Sequence, residues 1–141
     1  MDIDDGREDD TQGAEWQVRV FHDRRGRYPA FHKKDRPFLA RSFRKLEYLA
    51  EVVRFQRIEN IPRELVDTIR GAVKELRVDK QIRVLFSWEH ATHTILVLEA
   101  ERKKNGGIDE KVIRRAIENR EEWQEGGAAD PLDVVRKSIG G

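Results

Sequence analysis

In several segments of this chain, apolar side chains follow patterns that are typical of β-strands. From Trp16 to Val20 every second residue is apolar, which is the period of a half-buried strand. Three later runs rich in β-branched and aromatic residues, at 73–78, 82–88 and 94–100, predict an antiparallel meander. Apolar residues occupy successive positions in the third run, which a strand tolerates only when both of its faces are covered. We therefore expect the third run to be the central strand.

Two helices are predicted where apolar residues recur every three or four positions. The first begins after a possible capping residue, Asp35, and continues to about Phe55. The second begins after Asp109 and ends near Trp123. A short amphipathic helix fits residues 131–139, where it could serve a partner.

These elements predict one domain with tails. Residues 1–14 are acidic and almost without apolar side chains, so we expect them to be disordered. Residues 15–124 form the predicted domain, and residues 125–141 are predicted to be a linker with a short C-terminal segment. Residues 58–71 are either a short helix or an irregular connection. The fold class is α/β of the α+β type, with helices packed on a small antiparallel sheet.

Composition narrows the classes of protein that fit. The chain has 141 residues and no cysteine, which excludes disulfides, thiolate metal sites and cysteine nucleophiles. No run of residues approaches the roughly 18 to 20 apolar positions that span a bilayer, and the first residues lack the pattern of a secretory signal, so we expect a cytoplasmic protein with no membrane partner. The net charge of +1 conceals a segregation: residues 1–15 carry −6, residues 16–104 carry +9 and residues 105–141 carry −2. A basic middle attracts polyanions, although ordinary solubility charge is a competing explanation.

The register of the first hairpin follows from keeping its apolar residues on one face. With a three-residue loop at 79–81, Leu76 opposes Val84 and Arg77 opposes Arg83. Two arginines then become cross-strand neighbours, an arrangement that an anion or a carboxylate between them would stabilise. Phosphate is one candidate for that anion. The alternative is that an acidic residue of the chain, such as Glu75, neutralises the pair.

The same residues resemble a known family. The stretch at 71–78, GAVKELRV, followed by QIRVLF at 81–86, resembles the K-E-L-R and R-V-L-F/Y signature of the RelE/HigB superfamily of type II toxins, especially its phage Gp49-like branch. The segment at 62–69 and the basic turn after the apolar strand, at 99–104, are similar to that branch as well. The resemblance covers roughly residues 16–123.

The resemblance implies a RelE-like microbial RNase fold and a helix-turn-helix antitoxin as partner. It implies metal-independent endoribonuclease activity, without a cofactor, on messenger RNA during translation on the ribosome. Operator DNA would be bound only through the antitoxin. Growth inhibition by ParE-like binding to DNA gyrase, and a basic RNA-binding module without catalysis, are the alternatives.

The resemblance also implies roles for individual residues. Arg83 would hold the scissile phosphate, while Arg77 and Lys103 would complete the catalytic set. Further RNA contacts are expected from five lysine and arginine residues: Lys74, Arg102 and Lys104 through the resemblance, and Lys33 and Lys34 from the basic loop in which they lie.

Proton transfer is the step for which the sequence offers no clear residue. Arginine is a poor proton acceptor, and this chain has no Tyr or His after His93, where some relatives place one. Each of the four histidines, His22, His32, His90 and His93, is more typical of a solvent-exposed loop than of a catalytic site. No nearby acid has convincing spacing for a metal site with His90 and His93, so we expect no metal.

Overall fold

The computed structural model of the chain describes residues 15–103 and 107–139. The prediction of a disordered acidic tail at 1–14 falls outside these residues. The elements, in chain order, are β1 (Gln17–His22), α1 (Arg36–Phe55), β2 (Val66–Arg70), β3 (Val73–Arg77), β4 (Ile82–Glu89), β5 (Thr94–Arg102), α2 (Glu110–Gln124), β6 (Ala128–Pro131) and α3 (Leu132–Ile139), with short 3-10 turns at Ile58–Asn60 and His90–Thr92.

Both long helices begin at their predicted caps. The Asp35 side chain accepts a hydrogen bond from the Phe38 backbone N–H at the start of α1. The Asp109 side chain accepts one from Lys111 N–H at the start of α2. Each cap satisfies a backbone donor that has no partner within the helix, so local sequence fixes where both helices begin.

The described residues form one six-stranded sheet with the order β2-β3-β4-β5-β1-β6. The predicted meander is confirmed as β3, β4 and β5, which pair antiparallel. The predicted α+β fold, with helices packed on a small sheet, is confirmed, but the sheet is not antiparallel at every pair, because β1 pairs with β5 in parallel. A parallel pair needs a long crossover connection, and α1 with β2, β3 and β4 provides it.

Helices cover both faces of this sheet and explain why successive residues of β5, from Ile95 to Leu98, are apolar. Helices α1 and α3 contribute to the larger core, on the face of Leu76, Val84 and Phe86. Helix α2 packs on the opposite face with Leu85 and Leu98. Strand β5 lies between β4 and β1 with every residue from Thr94 to Ala100 buried, as predicted for the central strand. Among the described helices, none is long and apolar enough to cross a membrane.

The segment at 58–71 contains an edge strand that the sequence pattern did not identify. Strand β2 has only five residues, and its pairing with β3 shifts between Thr68 and Arg70. Three of its five residues, Asp67, Thr68 and Arg70, are polar, so the apolar periodicity was too short to indicate a strand.

The residues after α2 belong to the fold, and the prediction of a linker from residue 125 is wrong. Helix α2 ends in a Schellman motif, in which Gly126 N–H donates to Trp123 O and Gly127 N–H donates to Glu122 O. Gly126 adopts φ +105°, a left-handed conformation that favours glycine. The motif turns the chain back onto the sheet, where β6 pairs antiparallel with β1. Helix α3 confirms the short helix predicted at 131–139, and it is packed into the larger core through Leu132 and Val135.

Candidate nucleic-acid interface

Several predicted site residues meet at one end of the sheet, which we call the turn end. It comprises the β3–β4 turn at 79–81, the last residues of β5 and the start of α1. Arg102 Nη1 donates to Gln81 Oε1 at 3.2 Å, and Arg102 Nη2 lies 3.5 Å from Asp35 Oδ2. The backbone N–H of Lys103 donates to the carbonyl of Gln81. Arg102 and Lys103 are therefore fixed beside the turn.

The hairpin register is the predicted one. Leu76 pairs with Val84 and Arg77 pairs with Arg83 across β3 and β4. The turn needs no glycine because the Asp79 side chain accepts hydrogen bonds from the backbone N–H groups of Gln81 and Ile82, each at 2.8 Å.

The electrostatics of Asp79 follow from its place in the turn. Burial alone would raise the pKa of its carboxyl group. The two backbone donors and the guanidinium of Arg41, 3.2 Å away, outweigh burial and hold the pKa of Asp79 below its ordinary value. Asp79 thus joins the hairpin turn to α1 as an ionised carboxylate.

A carboxylate lies between the two paired arginines. Arg83 Nε is 2.6 Å from Glu75 Oε2, and Arg77 Nε is 3.5 Å from the same oxygen. Asp67 is a second acidic neighbour of Arg77, with its Oδ2 3.8 Å from Arg77 Nη2. This is the alternative in which an acid of the chain neutralises the pair, and Glu75 is the residue that does so.

The two arginines differ sharply in exposure. The Arg83 side chain is 7% exposed, and its Nη1 donates to the carbonyls of Asp79 and Ile82. The Arg77 side chain is 39% exposed. Arg77 can therefore reach a ligand in solution, whereas Arg83 holds Glu75 and the turn in place.

The remaining predicted RNA contacts are only partly brought together. Lys74 pairs with Phe86 on the α1 face of the sheet, and its Nζ donates to Thr68 Oγ1, so it lies on the face opposite to Arg77 and Arg83. Lys34 Nζ and Arg102 Cζ each lie 5.5 Å from the centre of the Phe38 ring, which joins the basic loop to the turn end. Lys33 lies in the same loop, and Lys104 falls outside the described residues.

Two of the histidines lie far from the turn end. His90 and His93 pack against the ring of Trp16, with ring centres 5.3 and 5.2 Å apart, where β5 begins. His22 Nε2 lies 3.8 Å from Asp130 Oδ2 on β6. In the part of the chain that the structure describes, no three His, Asp or Glu side chains are grouped as metal ligands would be.

Sequence reasoning missed a buried carboxylate on β5. Glu99 is 7% exposed at its side chain, next to Arg115 and Asn119 of α2. Burial raises the pKa of Glu99 above its ordinary value, even though Arg115 and Lys34 act in the other direction. A glutamate directly after four successive apolar residues was the available signal, since a buried acid requires nearby donors or cations.

Comparison with known families places this meander and its flanking helices in a defined group. The profile of the family described as Phage derived protein Gp49-like (DUF891) matches residues 37–121, more than half of the chain. The chain belongs to the Gp49-like family. This family is of the toxin type, and the matched region contains β2 to β5 with nearly all of α1 and α2. No curated protein matches the chain.

Proposed function

We propose that this Gp49-like protein is the toxin of a type II toxin-antitoxin pair and a metal-independent endoribonuclease that cleaves messenger RNA during translation on the ribosome. The observation that carries the proposal is the presence of exposed cations at the turn end, where Gln81 holds Arg102, in a chain that belongs to a family of toxin type. A toxin of this kind implies an antitoxin partner, for which we propose a helix-turn-helix protein that alone contacts operator DNA.

The residue types at the turn end suit this chemistry. Metal-independent cleavage uses the ribose 2′-hydroxyl as the nucleophile, so the protein must align the strand and stabilise negative charge on the phosphorus. Arg77 and Arg102 have exposed guanidinium groups that suit phosphate contacts from opposite faces of this end of the sheet, and Lys103 follows Arg102 directly. Arg83 acts as a positioning residue, because its guanidinium is engaged by Glu75 and by two backbone carbonyls.

The experiment is transcriptome-wide mapping of RNA 5′ ends after brief induction in a bacterial host. The test variant is Arg77→Gln/Arg102→Gln, which removes two exposed cations. The control is Arg54→Gln, an exposed cation at the far end of α1. New ends inside coding sequences with the wild type and Arg54→Gln, reduced at least tenfold in the double variant, support the proposal. Growth arrest without new ends contradicts the nuclease assignment.

One observation favours a second candidate, inhibition of DNA gyrase by binding. An open arginine pair is a phosphate site, but Glu75 occupies the space between Arg77 and Arg83. Inhibition of DNA supercoiling by purified protein, together with growth arrest and no new RNA ends, would support this candidate. If the protein causes neither growth arrest nor new RNA ends, the remaining candidate is a basic RNA-binding module without catalysis.

An exposed aromatic surface on α1 supports a protein partner. Tyr48 is 53% exposed and Phe55 is 70% exposed, and they lie two turns apart on one side of the helix. Grooves of about 560 and 620 Å³ border them, and the cations Arg41, Arg44 and Lys45 line the first groove. Apolar anchors beside cations fit an amphipathic acidic helix, so we propose this surface as the antitoxin contact.

The antitoxin contact is tested with Tyr48→Ala/Phe55→Ala. Its matched control is Val134→Ala, which truncates another exposed apolar residue, on α3. We expect co-expressed antitoxin to neutralise the wild type and the control but not the double variant, which should stay toxic. Full neutralisation of the double variant would place the antitoxin elsewhere.

A further inference from the structure

A second basic groove lies beside the turn end. It is formed by the loop at 23–35 and the end of α3, and we call it the loop groove. Its volume is about 300 Å³. The residues that line it and matter here are Arg27, Tyr28, His32, Lys33, Lys34 and Ser138.

We propose that the loop groove binds a backbone phosphate of a single RNA strand, as an additional contact for the substrate of the proposed nuclease. This inference rests on the proposed function for the identity of the strand. The groove itself is defined by the geometry of the loop and α3.

The charge of the groove is the first argument. Arg27, Lys33 and Lys34 line it, His32 adds a further donor, and none of the lining residues in the described part of the chain is acidic. By contrast, a different cavity beside α3, where Trp16 and Leu132 lie, is lined by four carboxylate side chains. A cavity with cations alone selects anions, and a phosphodiester is the anion that a basic surface on a nuclease encounters.

The backbone of the loop gives a second, independent argument. Lys33 adopts φ +61°, a left-handed conformation that is uncommon for a residue with a side chain. The turn before it is held by hydrogen bonds from the N–H groups of Phe31 and His32 to Tyr28 O, at 2.9 and 2.8 Å. A lysine kept in this conformation, where glycine or asparagine fits better, is consistent with selection for its side chain.

The loop is also fixed to the sheet. Tyr28 is buried, and its hydroxyl donates to Asp130 Oδ2 on β6 at 2.6 Å. Because β6 leads directly into α3, this bond holds both walls of the groove in register. Burial, with this hydrogen bond, raises the pKa of Tyr28 to about 12, so the hydroxyl stays a donor at physiological pH.

The groove is continuous with the turn end but originates from different parts of the chain. Lys34 and Arg102 share the Phe38 ring, so one strand can contact both places. The loop and α3 lie outside the family match at 37–121.

The test measures RNA binding by fluorescence anisotropy with a 5′-labelled twelve-nucleotide oligouridylate over a range of salt concentrations. The test variant is Arg27→Gln/Lys33→Gln, which removes two exposed groove cations. The matched control is Arg24→Gln/Arg25→Gln, which removes the same charge from the same loop outside the groove. Urea unfolding of all three proteins checks that the fold is intact.

We expect the test variant to lose at least tenfold in affinity and the control less than threefold. The slope of log affinity against log salt should fall by about 0.7 in the test variant, since the groove is proposed to hold one phosphate and each neutralised phosphate of a single strand contributes about 0.7. Equal losses in both variants would overturn the proposal, because the charge would then act diffusely. Displacement of the RNA by uridine monophosphate with the same affinity would also overturn it, by assigning the groove to free nucleotides.

Failure of this inference is distinguishable from failure of the proposed function. If the wild type arrests growth and produces new RNA ends while both loop variants bind RNA equally, only the loop groove is refuted. If the wild type produces no arrest and no ends, the toxin assignment fails, and the binding comparison still decides whether the groove takes RNA.

Discussion

Removing Arg83 should cost folding stability before it costs any contact with RNA. The Arg83 and Glu75 side chains are 7% and 8% exposed, and their charged atoms lie 2.6 Å apart. Breaking a buried ion pair by deleting one partner costs about 3 to 5 kcal/mol, because the other charge stays buried. Glu75 keeps Arg77 as a second partner at 3.5 Å, so we expect Arg83→Met to lie near the lower limit.

The contrast with Arg77 makes this prediction quantitative. A loss of about 3 kcal/mol lowers the folding equilibrium constant roughly 150-fold. Arg77→Met removes a side chain that is 39% exposed, for which about 0 to 1 kcal/mol is expected. Since an unfolding slope of about 2 kcal/mol per molar urea is typical, Arg83→Met should lower the urea midpoint by about 1.5 M.

Urea unfolding followed by tryptophan fluorescence measures both variants. A double-mutant cycle with Glu75→Gln isolates the coupling between Glu75 and Arg83, which should exceed that between Glu75 and Arg77. The reasoning is refuted if Arg83→Met is no less stable than Arg77→Met. In that case Arg83 would be available to bind phosphate, and a loss of toxicity in an Arg83 variant could be assigned to the site itself.

Three further predictions concern the elements around the site. Burial and the hydrogen bond to Asp130 raise the pKa of Tyr28 to about 12. The contribution of Tyr28 to stability should therefore be complete below pH 10 and be lost as the pH rises from 10 to 12. Tyr28→Phe should remove this pH dependence, measured as the thermal unfolding midpoint at each pH. The pKa of Asp79 is held below its ordinary value, so its contribution to the free energy of unfolding should be present above about pH 4 and be lost below that pH. Asp79→Ala should therefore lower the free energy of unfolding by about 1 to 2 kcal/mol at pH 7 and by much less in acid, as measured by urea unfolding at both pH values. Gly127→Ala should destabilise the fold and increase hydrogen exchange in β6, because its Cβ would lie 2.8 Å from the carbonyl oxygen of Glu122; Gln124→Ala, within α2, is the control, and equal exchange in both variants would contradict this steric argument.

Local signals in the sequence were sufficient for much of the fold. The caps at Asp35 and Asp109 and the apolar repeat behind each gave the starts of α1 and α2. The register of β3 with β4 followed from keeping Leu76 and Val84 on one face. Short-range periodicity contains this information because it records which face of an element is buried.

Long-range pairing could not be predicted in the same way. The parallel contact of β1 with β5 and the addition of β6 join residues more than seventy positions apart, and alternation within a strand does not specify its neighbour. The prediction of a linker from residue 125 was wrong for the same reason. Gly126 and Gly127 indicate a turn, but they do not indicate that the chain after the turn returns to the sheet.

The pairing of the two arginines could be predicted from the sequence, and their exposure to solvent could not. The pairing of Arg77 with Arg83 followed from alternation, as did the option that Glu75 neutralises them. The burial of Arg83 depends on hydrogen bonds to two backbone carbonyls of the turn. Every residue has a backbone carbonyl, so the sequence does not indicate which of them an arginine will contact. The separation of Lys74 from the arginines was available from the two-residue period and was overlooked.

The position of β1 in the sheet has a consequence for synthesis. The first strand of the domain has two neighbours, β5 and β6, and the second of these is among the last described segments to leave the ribosome. Until residues 128–131 emerge, the outer edge of β1 has no strand beside it, and the basic loop that follows β1 lacks the Asp130 carboxylate that secures it. A nascent chain therefore cannot complete this sheet before residues 128–131 have emerged, and the surface around the basic loop takes its final form only after that point.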